Sequence, residues 1–508
     1  MDLGQMLAHT ASRAPDKTAI IFRDAPTSYG ELDRRANQVA NALIGLGIQP
    51  GDRVALYIHN LPLFIEAYYG ILRAGASVIP LNVLYKAGEV EYVFRDSGAK
   101  AIITFGPFVQ VALAAQANAP ELRHVIVAAP EQVPGTLAWR ATFGAAAETP
   151  PNVTVNPEDV AVICYTSGTT GRSKGAMLSH RNLLANCEQC NLVPGFHTTP
   201  EDVLWLALPL FHIYAMNVGM NLSFMNGGTV ALVERFEPAS ALAVIQQHRC
   251  TVLLGAPPMF YAWANMPNLR DYDLSSVRFI ASGAAALPVA VLEQFEALAG
   301  VPISEGYGLT EASPVVTNGA AGPVIKPGKV GPAIPGVEVR IVDEAGNAVP
   351  RGEVGELICR GPNVMLGYWN QPEATAATIR DGWLHTGDLA TEDEDGYFAI
   401  VDRLKDMIVV SGFNVYPREV EEVLFRHPAI AEAAVVQYPD PYQGESVMAY
   451  VVLKPDHSAT EQEIIDYCRG EIAVFKCPRR VVFRDSLPKN DTGKVLRRVL
   501  REEAAATR

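Results

Sequence analysis

The chain has 508 residues, of which 49% are hydrophobic and 19% charged, and it carries a net charge of −14. That length suggests roughly three folding units of ~150 residues, with a core large enough to need neither disulfides nor a structural metal. The acidic balance excludes a general nucleic-acid surface, which is usually basic, but leaves room for anionic small ligands held by local charges and backbone amides.

Met1 to Pro15 shows no basic segment followed by an apolar core, so no secretory signal is expected there. Ser28 to Leu46 reads as a helix, with Ser28 able to cap, Glu31 three residues on, and Leu32, Ala36, Val39 and Leu43 on one face. Arg53 to Ile58 reads as a strand after the Pro50-Gly51-Asp52 turn, Pro62 to Ala74 as a helix, and Ser77 to Pro80 and Val160 to Cys164 as strands. This alternation predicts layered α/β architecture with largely parallel sheets.

After the Val160–Cys164 strand comes Tyr165-Thr166-Ser167-Gly168-Thr169-Thr170-Gly171-Arg172-Ser173-Lys174-Gly175, and a helix is expected from His180. Its glycines permit tight turning, its hydroxyls and exposed amides suit phosphate oxygens, and Lys174 adds a point charge. The spacing fits neither a Walker A loop nor a dinucleotide fingerprint. Cys187 and Cys190 form a C-x-x-C pair with no second pair or histidine cluster, so the seven cysteines read as scattered and reduced, in a cytoplasmic setting. No apolar run reaches the ~18–20 residues of a membrane span.

Beyond about residue 325 the texture changes to short strands between Pro, Gly and Asp turns: Val337–Val342, Gly355–Cys359 and Tyr397–Ile400. The last hundred or so residues repeat a compact pattern: strands at Met407–Val410, Ile430–Val436, Val447–Leu453 and Arg480–Phe483, with helices at Pro417–Phe425 and Thr460–Gly470. The expected fold is α/β: a large N-terminal domain of layered α/β subdomains plus a β-rich subdomain over residues 1–404, and a small mobile C-terminal α+β domain over 405–508. Lys476, Arg479, Arg480, Arg484, Lys489, Lys494, Arg497, Arg498 and Arg501 crowd one stretch of the latter, read either as a solvated basic face or as a segment that meets a polyphosphate.

With these motifs the chain resembles the superfamily of adenylate-forming enzymes: acyl- and aryl-CoA ligases, amino-acid adenylation domains and beetle luciferases. The Tyr165–Gly175 loop is similar to that family's phosphate loop. Further matches follow in order: Gly306-Tyr307-Gly308-Leu309-Thr310-Glu311, Thr386-Gly387-Asp388, Asp402-Arg403-Leu404-Lys405-Asp406, and Pro488 through Lys494.

The resemblance implies ATP, Mg²⁺ and coenzyme A as cofactors. Thr166, Ser167, Gly168, Thr169, Thr170, Gly171 and Lys174 would serve the phosphates, with Thr310 at the α-phosphate and Glu311 and Thr166 at Mg²⁺. Asp388 and Arg403 would hold the ribose, while Ala285, Glu305, Gly306 and Tyr307 would complete the nucleotide site beside the Ser282–Ala286 strip. Lys494 would stabilise charge as the carboxylate attacks the α-phosphate. Lys405 would be the hinge of a domain rotation that withdraws Lys494 and presents the Gly412 loop to CoA.

Phe211 to Asn217 resembles the corresponding stretch of 4-coumarate–CoA ligases, with His212 at the carboxylate and thiol tunnel and Tyr214, Asn217, Val218 and Gly283 in the acyl pocket. Val218 stands where the plant enzymes tend to have serine, and Val409 and Ser411 replace two lysines. Apolar Met216, Val218, Met220 and Phe224 point to a medium- or long-chain fatty acid, with a hydroxycinnamate or benzoate as the alternative. A stand-alone amino-acid adenylation module would place a carboxylate in this stretch, and none is present. A luciferase-like oxidation has no distinguishing residue. The expected partners are the acid, ATP and CoA, with no nucleic acid, and a homodimer is the assembly carried forward.

Overall fold

The computed structural model describes residues 1–166, 173–440, 444–490 and 493–506. Two eight-stranded sheets form its larger part. One is built on Ser77–Pro80, Arg53–Tyr57, Ala101–Phe105 and His124–Ala128, all parallel. The other is built on Thr229–Leu232, Val203–Leu206, Val252–Gly255, Phe279–Ser282 and Ile303–Gly308, again parallel. Buried on both faces, these strands read as continuous apolar runs rather than alternations.

The helices Tyr29–Gly45 and Pro62–Arg73 belong to the largest apolar core, which also takes side chains from both sheets. Ser28 caps the first of them by accepting a hydrogen bond from Glu31 N at 3.2 Å. Pro62 opens the second at a position where its missing N–H costs nothing. Parallel strands aim their carboxyl ends the same way, and ligands in such sheets collect in the crevice beyond those ends.

The β-rich part is an antiparallel sheet of Glu338–Val342, Gly355–Arg360, Trp383–Glu392 and Ile379–Arg380, with Phe398–Arg403 added on Trp383–Glu392. A 3-10 turn at Leu404–Asp406 leads from Phe398–Arg403 to a fourth sheet containing Ile408–Val410, Ile430–Asp440 and Gly444–Leu453. Helices Pro417–Arg426, Glu461–Glu471 and Arg497–Ala506 accompany that sheet, whose main core is separate from the large one. No helix among the described residues is long and apolar enough to cross a membrane.

The helix expected from His180 begins there, as His180–Asn191. Before it lies a strand that was not expected, Lys174–Ser179, paired antiparallel with Val160–Thr166 in the register Thr166↔Lys174. Lys-Gly-Ala-Met-Leu-Ser contains no β-branched or aromatic residue, so strand propensity was silent there.

The basic run also carries acidic partners from its surroundings. Lys476 pairs with Glu419 at 2.6 Å, Lys489 with Glu432 at 2.7 Å, Arg498 with Glu502 at 2.9 Å and Arg501 with Asp406 at 2.9 Å. Arg484 pairs with Glu503, and Arg479 with Asp440 at 3.6 Å. Several of these acids lie tens of residues away in sequence, so the charge run alone could not show the neutralisation.

Candidate active site

Lys174 begins the strand that returns from the phosphate-loop segment, and its Nζ lies 5.0 Å from the centre of the Tyr368 ring. The Tyr368 hydroxyl donates to Glu311 Oε1 at 2.9 Å. Glu311 belongs to the 3-10 turn Thr310–Ala312 and is fixed again by Met365 N, which donates to its carbonyl at 2.8 Å. An ammonium, a phenol and a carboxylate therefore stand in line beside Thr310. Thr166 Oγ1 donates weakly to the Lys174 carbonyl at 3.5 Å. Ser167, Gly168, Thr169, Thr170 and Gly171 lie outside the described residues. Tyr368 had no signal of its own in the sequence: it lies 57 residues from Glu311.

Asp388 and Arg403 are direct cross-strand partners. Arg403 Nε lies 3.2 Å from Asp388 Oδ1, while the Tyr307 hydroxyl donates to Asp388 Oδ2 at 2.6 Å. Burial, reinforced by the Asp388 charge, pushes the Tyr307 phenol far above its ordinary range, so it stays a hydrogen-bond donor. Glu305 is 4% exposed, and its carboxylate accepts from Leu287 N at 3.3 Å and Gly328 N at 3.1 Å. It braces the turn after Ser282, in which Ala284 takes a φ of 70°. Gly306 lies against Asn318: a Cβ there would approach the Asn318 amide nitrogen to 3.1 Å.

The stretch expected to line the acyl pocket is a π-helix, Tyr214–Asn221, in which every residue is buried. Such irregular turns are rare and concentrate at functional sites. Its ring-bearing end faces Gly283: a Cβ there would lie 3.1 Å from Tyr214 Cε1, so a larger residue would have to displace the ring by a few tenths of an ångström. Asn217 spends its amide on the carbonyls of Leu183 at 3.0 Å and Ser313 at 2.7 Å, which ties the π-helix to the turn carrying Glu311. Met216, Val218, Met220 and Phe224 are all at most 2% exposed.

Lys494 comes from the last part of the chain. Its N–H donates to Asn490 Oδ1 at 2.8 Å, closing the turn, and Gly493 beside it abuts Pro258 of the large unit; a Cβ there would sit 2.2 Å from Pro258 Cγ. Burial lowers the Lys494 ammonium to about 8, helped by the Arg403 charge and opposed by Asp388. Burial, then the Lys494 charge, lowers His212 to about 4, so its imidazole is neutral near pH 7. Lys494, His212, Asp388 and Arg403 thus share one electrostatic neighbourhood.

Gly412 is not gathered into it, whereas Lys405 borders it: partial burial, then the Arg403 charge, lowers its ammonium, and Asp406 and Asp388 oppose the shift. Ser411 and Gly412, with φ of 51° and 86°, make a two-residue hairpin turn between Val410 and Phe413, exposed to solvent, and Lys405 is exposed on the 3-10 turn. Ala285 is half-buried on the Ser282–Ala286 strip. Among the described residues no group of three or more His, Cys, Asp or Glu could hold a metal by itself.

Residues 7–369 match the family model for AMP-binding enzymes, and residues 419–494 match the model for the C-terminal domain of AMP-binding enzymes. A long-chain-fatty-acid–CoA ligase of Bacillus subtilis (strain 168) is 39% identical over 99% of this chain and 94% of its own length. A feruloyl-CoA synthase of an Amycolatopsis species is 38% identical over 97% of each chain. The crystal structure of the anthranilate CoA ligase AuaEII with anthranoyl-AMP superposes with a TM-score of 0.93 at 30% identity, covering 100% of this chain and 98% of that one.

Proposed function

The chain belongs to the AMP-binding enzyme family, and we propose that it is an ATP-dependent acid–CoA ligase acting on a medium- or long-chain fatty acid. The observation that carries the reading is that Gly493 seats the Lys494 turn against Pro258 of the large unit, where Lys494 feels the charges of Arg403 and Asp388 and His212 feels that of Lys494. In the first step a carboxylate oxygen of the acid would attack the α-phosphorus of ATP. The bond to the bridging oxygen breaks, pyrophosphate leaves, and an acyl-adenylate forms. Lys494 would offset the charge that builds on the α-phosphate oxygens, and Lys174 the charge on the leaving phosphates. Asp388, held by Tyr307 and Arg403, is an acceptor suited to a ribose diol.

In the second step the CoA sulfur would attack the acyl carbonyl, the thiol proton would leave, and AMP would depart. His212, neutral and at the acyl side, would line the approach of the thiol. With Lys405 as hinge, residues 405–508 would rotate between the steps as a unit and bring the exposed Gly412 turn to CoA.

The donor set fits Mg²⁺: Glu311 has one carboxylate oxygen without a hydrogen bond among the described residues, and a hard ion of this kind takes one or two carboxylates plus substrate phosphates. Glu311, with Thr166, would hold the ion, which would neutralise phosphate charge. The seven cysteines, all unpaired and buried, support a reducing, cytoplasmic setting.

The fatty-acid ligases among the relatives support an aliphatic acid, as does the apolar character of Met216, Val218 and Met220 along the π-helix. The feruloyl-CoA synthase keeps a hydroxycinnamate as the second reading. Thioester formation across fatty, hydroxycinnamic, benzoic and amino acids decides between them. A kcat/KM at least about tenfold higher for fatty acids supports the proposal, and a preference for aryl acids overturns the choice of acid. Amino-acid adenylation with no free CoA ester would overturn the choice of acceptor.

A further inference from the structure

Arg497 opens the helix Arg497–Ala506, three residues after Lys494, and it sits among three acids that come from before, within and after the turn at 404–406. Asp402 lies before that turn, on the strand Phe398–Arg403 that pairs into the β-rich sheet. Asp406 is the last residue of the turn, and Glu421 lies after it. Arg497 Nη1 donates to Asp402 Oδ1 at 3.2 Å and Nη2 to Glu421 Oε2 at 2.6 Å, with Asp406 Oδ2 at 3.8 Å. The other oxygen of Asp402, Oδ2, accepts from the backbone N–H of Arg418 at 2.9 Å, in the first turn of the helix Pro417–Arg426. One buried carboxylate of the large unit therefore holds two separate helices of the carboxy-terminal unit.

We infer that Asp402 and Arg497 are positioning residues for the adenylation step: their ion pair latches the carboxy-terminal unit over the cleft and so keeps Lys494 in place. This rests on the reading of Lys494 as the residue that serves the α-phosphate and of Lys405 as the hinge. A rotation about Lys405 carries Arg497, Asp406 and Glu421 together and leaves Asp402 behind. Breaking a buried pair is ordinarily costly because a bare charge remains. Here neither partner is left bare. Arg497 keeps Glu421, and Asp402 keeps the N–H of Arg403, which donates to its Oδ1 at 2.7 Å. The pair can therefore open and reclose, which a latch between two half-reactions requires. A contact present in one pose and absent in the other shifts the balance between them by its own differential strength.

The test compares Asp402→Asn with Glu421→Gln. Both remove one buried negative charge from Arg497, but only Asp402 lies across the hinge. Acid-dependent pyrophosphate release is measured beside thioester formation from synthetic acyl-adenylate and CoA, with thermal melting as a check on folding. Asp402→Asn is expected to slow pyrophosphate release about tenfold while thioester formation stays within about twofold or rises. Glu421→Gln is expected to keep the ratio of the two rates at its wild-type value. Should Asp402→Asn not fold, Arg497→Lys provides the same reading, since one ammonium cannot reach Asp402 and Glu421 as the forked guanidinium does. Equal losses in both half-reactions, or an unchanged ratio in the hinge-crossing variants, overturn the latch. Wild-type enzyme that releases no pyrophosphate with any acid would instead overturn the parent assignment.

Discussion

The Lys494 ammonium should set the alkaline limit of adenylation. Burial holds it at about 8 in the ligand-free protein, below the ordinary lysine value of 10.5. Its useful form is the charged one, so the contribution is present below about pH 8 and lost as pH rises through that value. Protonation falls from about nine-tenths at pH 7 to about one-tenth at pH 9. In a pyrophosphate-release assay, kcat/KM for ATP reports the free enzyme and should therefore drop about tenfold per unit above pH 8. Bound triphosphate adds negative charge beside the ammonium and raises its pKa, so the limb in kcat should lie at higher pH. Lys494→Arg carries a guanidinium that does not titrate in this range and should lose the limb, whatever its absolute rate. Lys494→Ala should lose ~100- to 1,000-fold, the usual cost of one transition-state charge partner. An unchanged alkaline limb in Lys494→Arg, or near-normal pyrophosphate release in Lys494→Ala, would show that this ammonium does not set the limit.

Gly493→Ala places a methyl 2.2 Å from Pro258 Cγ on a residue whose φ is 78°, so it should push the Lys494 turn out of the cleft. Pyrophosphate release should fall about tenfold or more, with thioester formation from supplied acyl-adenylate little changed. Asp388→Asn weakens two contacts to a charged group, with Tyr307 and Arg403, and should raise the KM for ATP ~10- to 100-fold with a smaller effect on kcat. Lys405→Pro fixes φ near about −65° at the proposed hinge. Measured separately, the two half-reactions should fall unequally; a proportional loss would argue against a hinge there.

What the sequence disclosed about this molecule follows the range of the signals. Ser28 with Glu31, the Pro62 start and the apolar run at Val160 are local, and their elements formed within one or two residues of the expected ends. Lys174, Thr310, Glu311, Asp388, Arg403 and Lys494 were visible because each lies in a short motif of unusual composition. The strand Lys174–Ser179 was not, since its residues favour no strand and only its partner Val160–Thr166 makes it one. Tyr368 as a partner of Glu311, Asp402 as a partner of Arg497, and Pro258 beside Gly493 join segments far apart in the chain. No window of sequence contains them. The π-helix at Tyr214–Asn221 likewise has no period by which it could be told from an ordinary buried helix.

The central claim is that one chain makes an acyl-adenylate and then spends it on CoA. The direct measurement is a chase. Enzyme, ATP, Mg²⁺ and a labelled fatty acid are mixed without CoA, the enzyme-bound product is isolated, and CoA is then added. Acyl-AMP and pyrophosphate are expected in equal amounts first, followed by conversion of the label to acyl-CoA with release of AMP. An adenylate that persists in the presence of CoA, or a thioester formed with no adenylate preceding it, would contradict the claim.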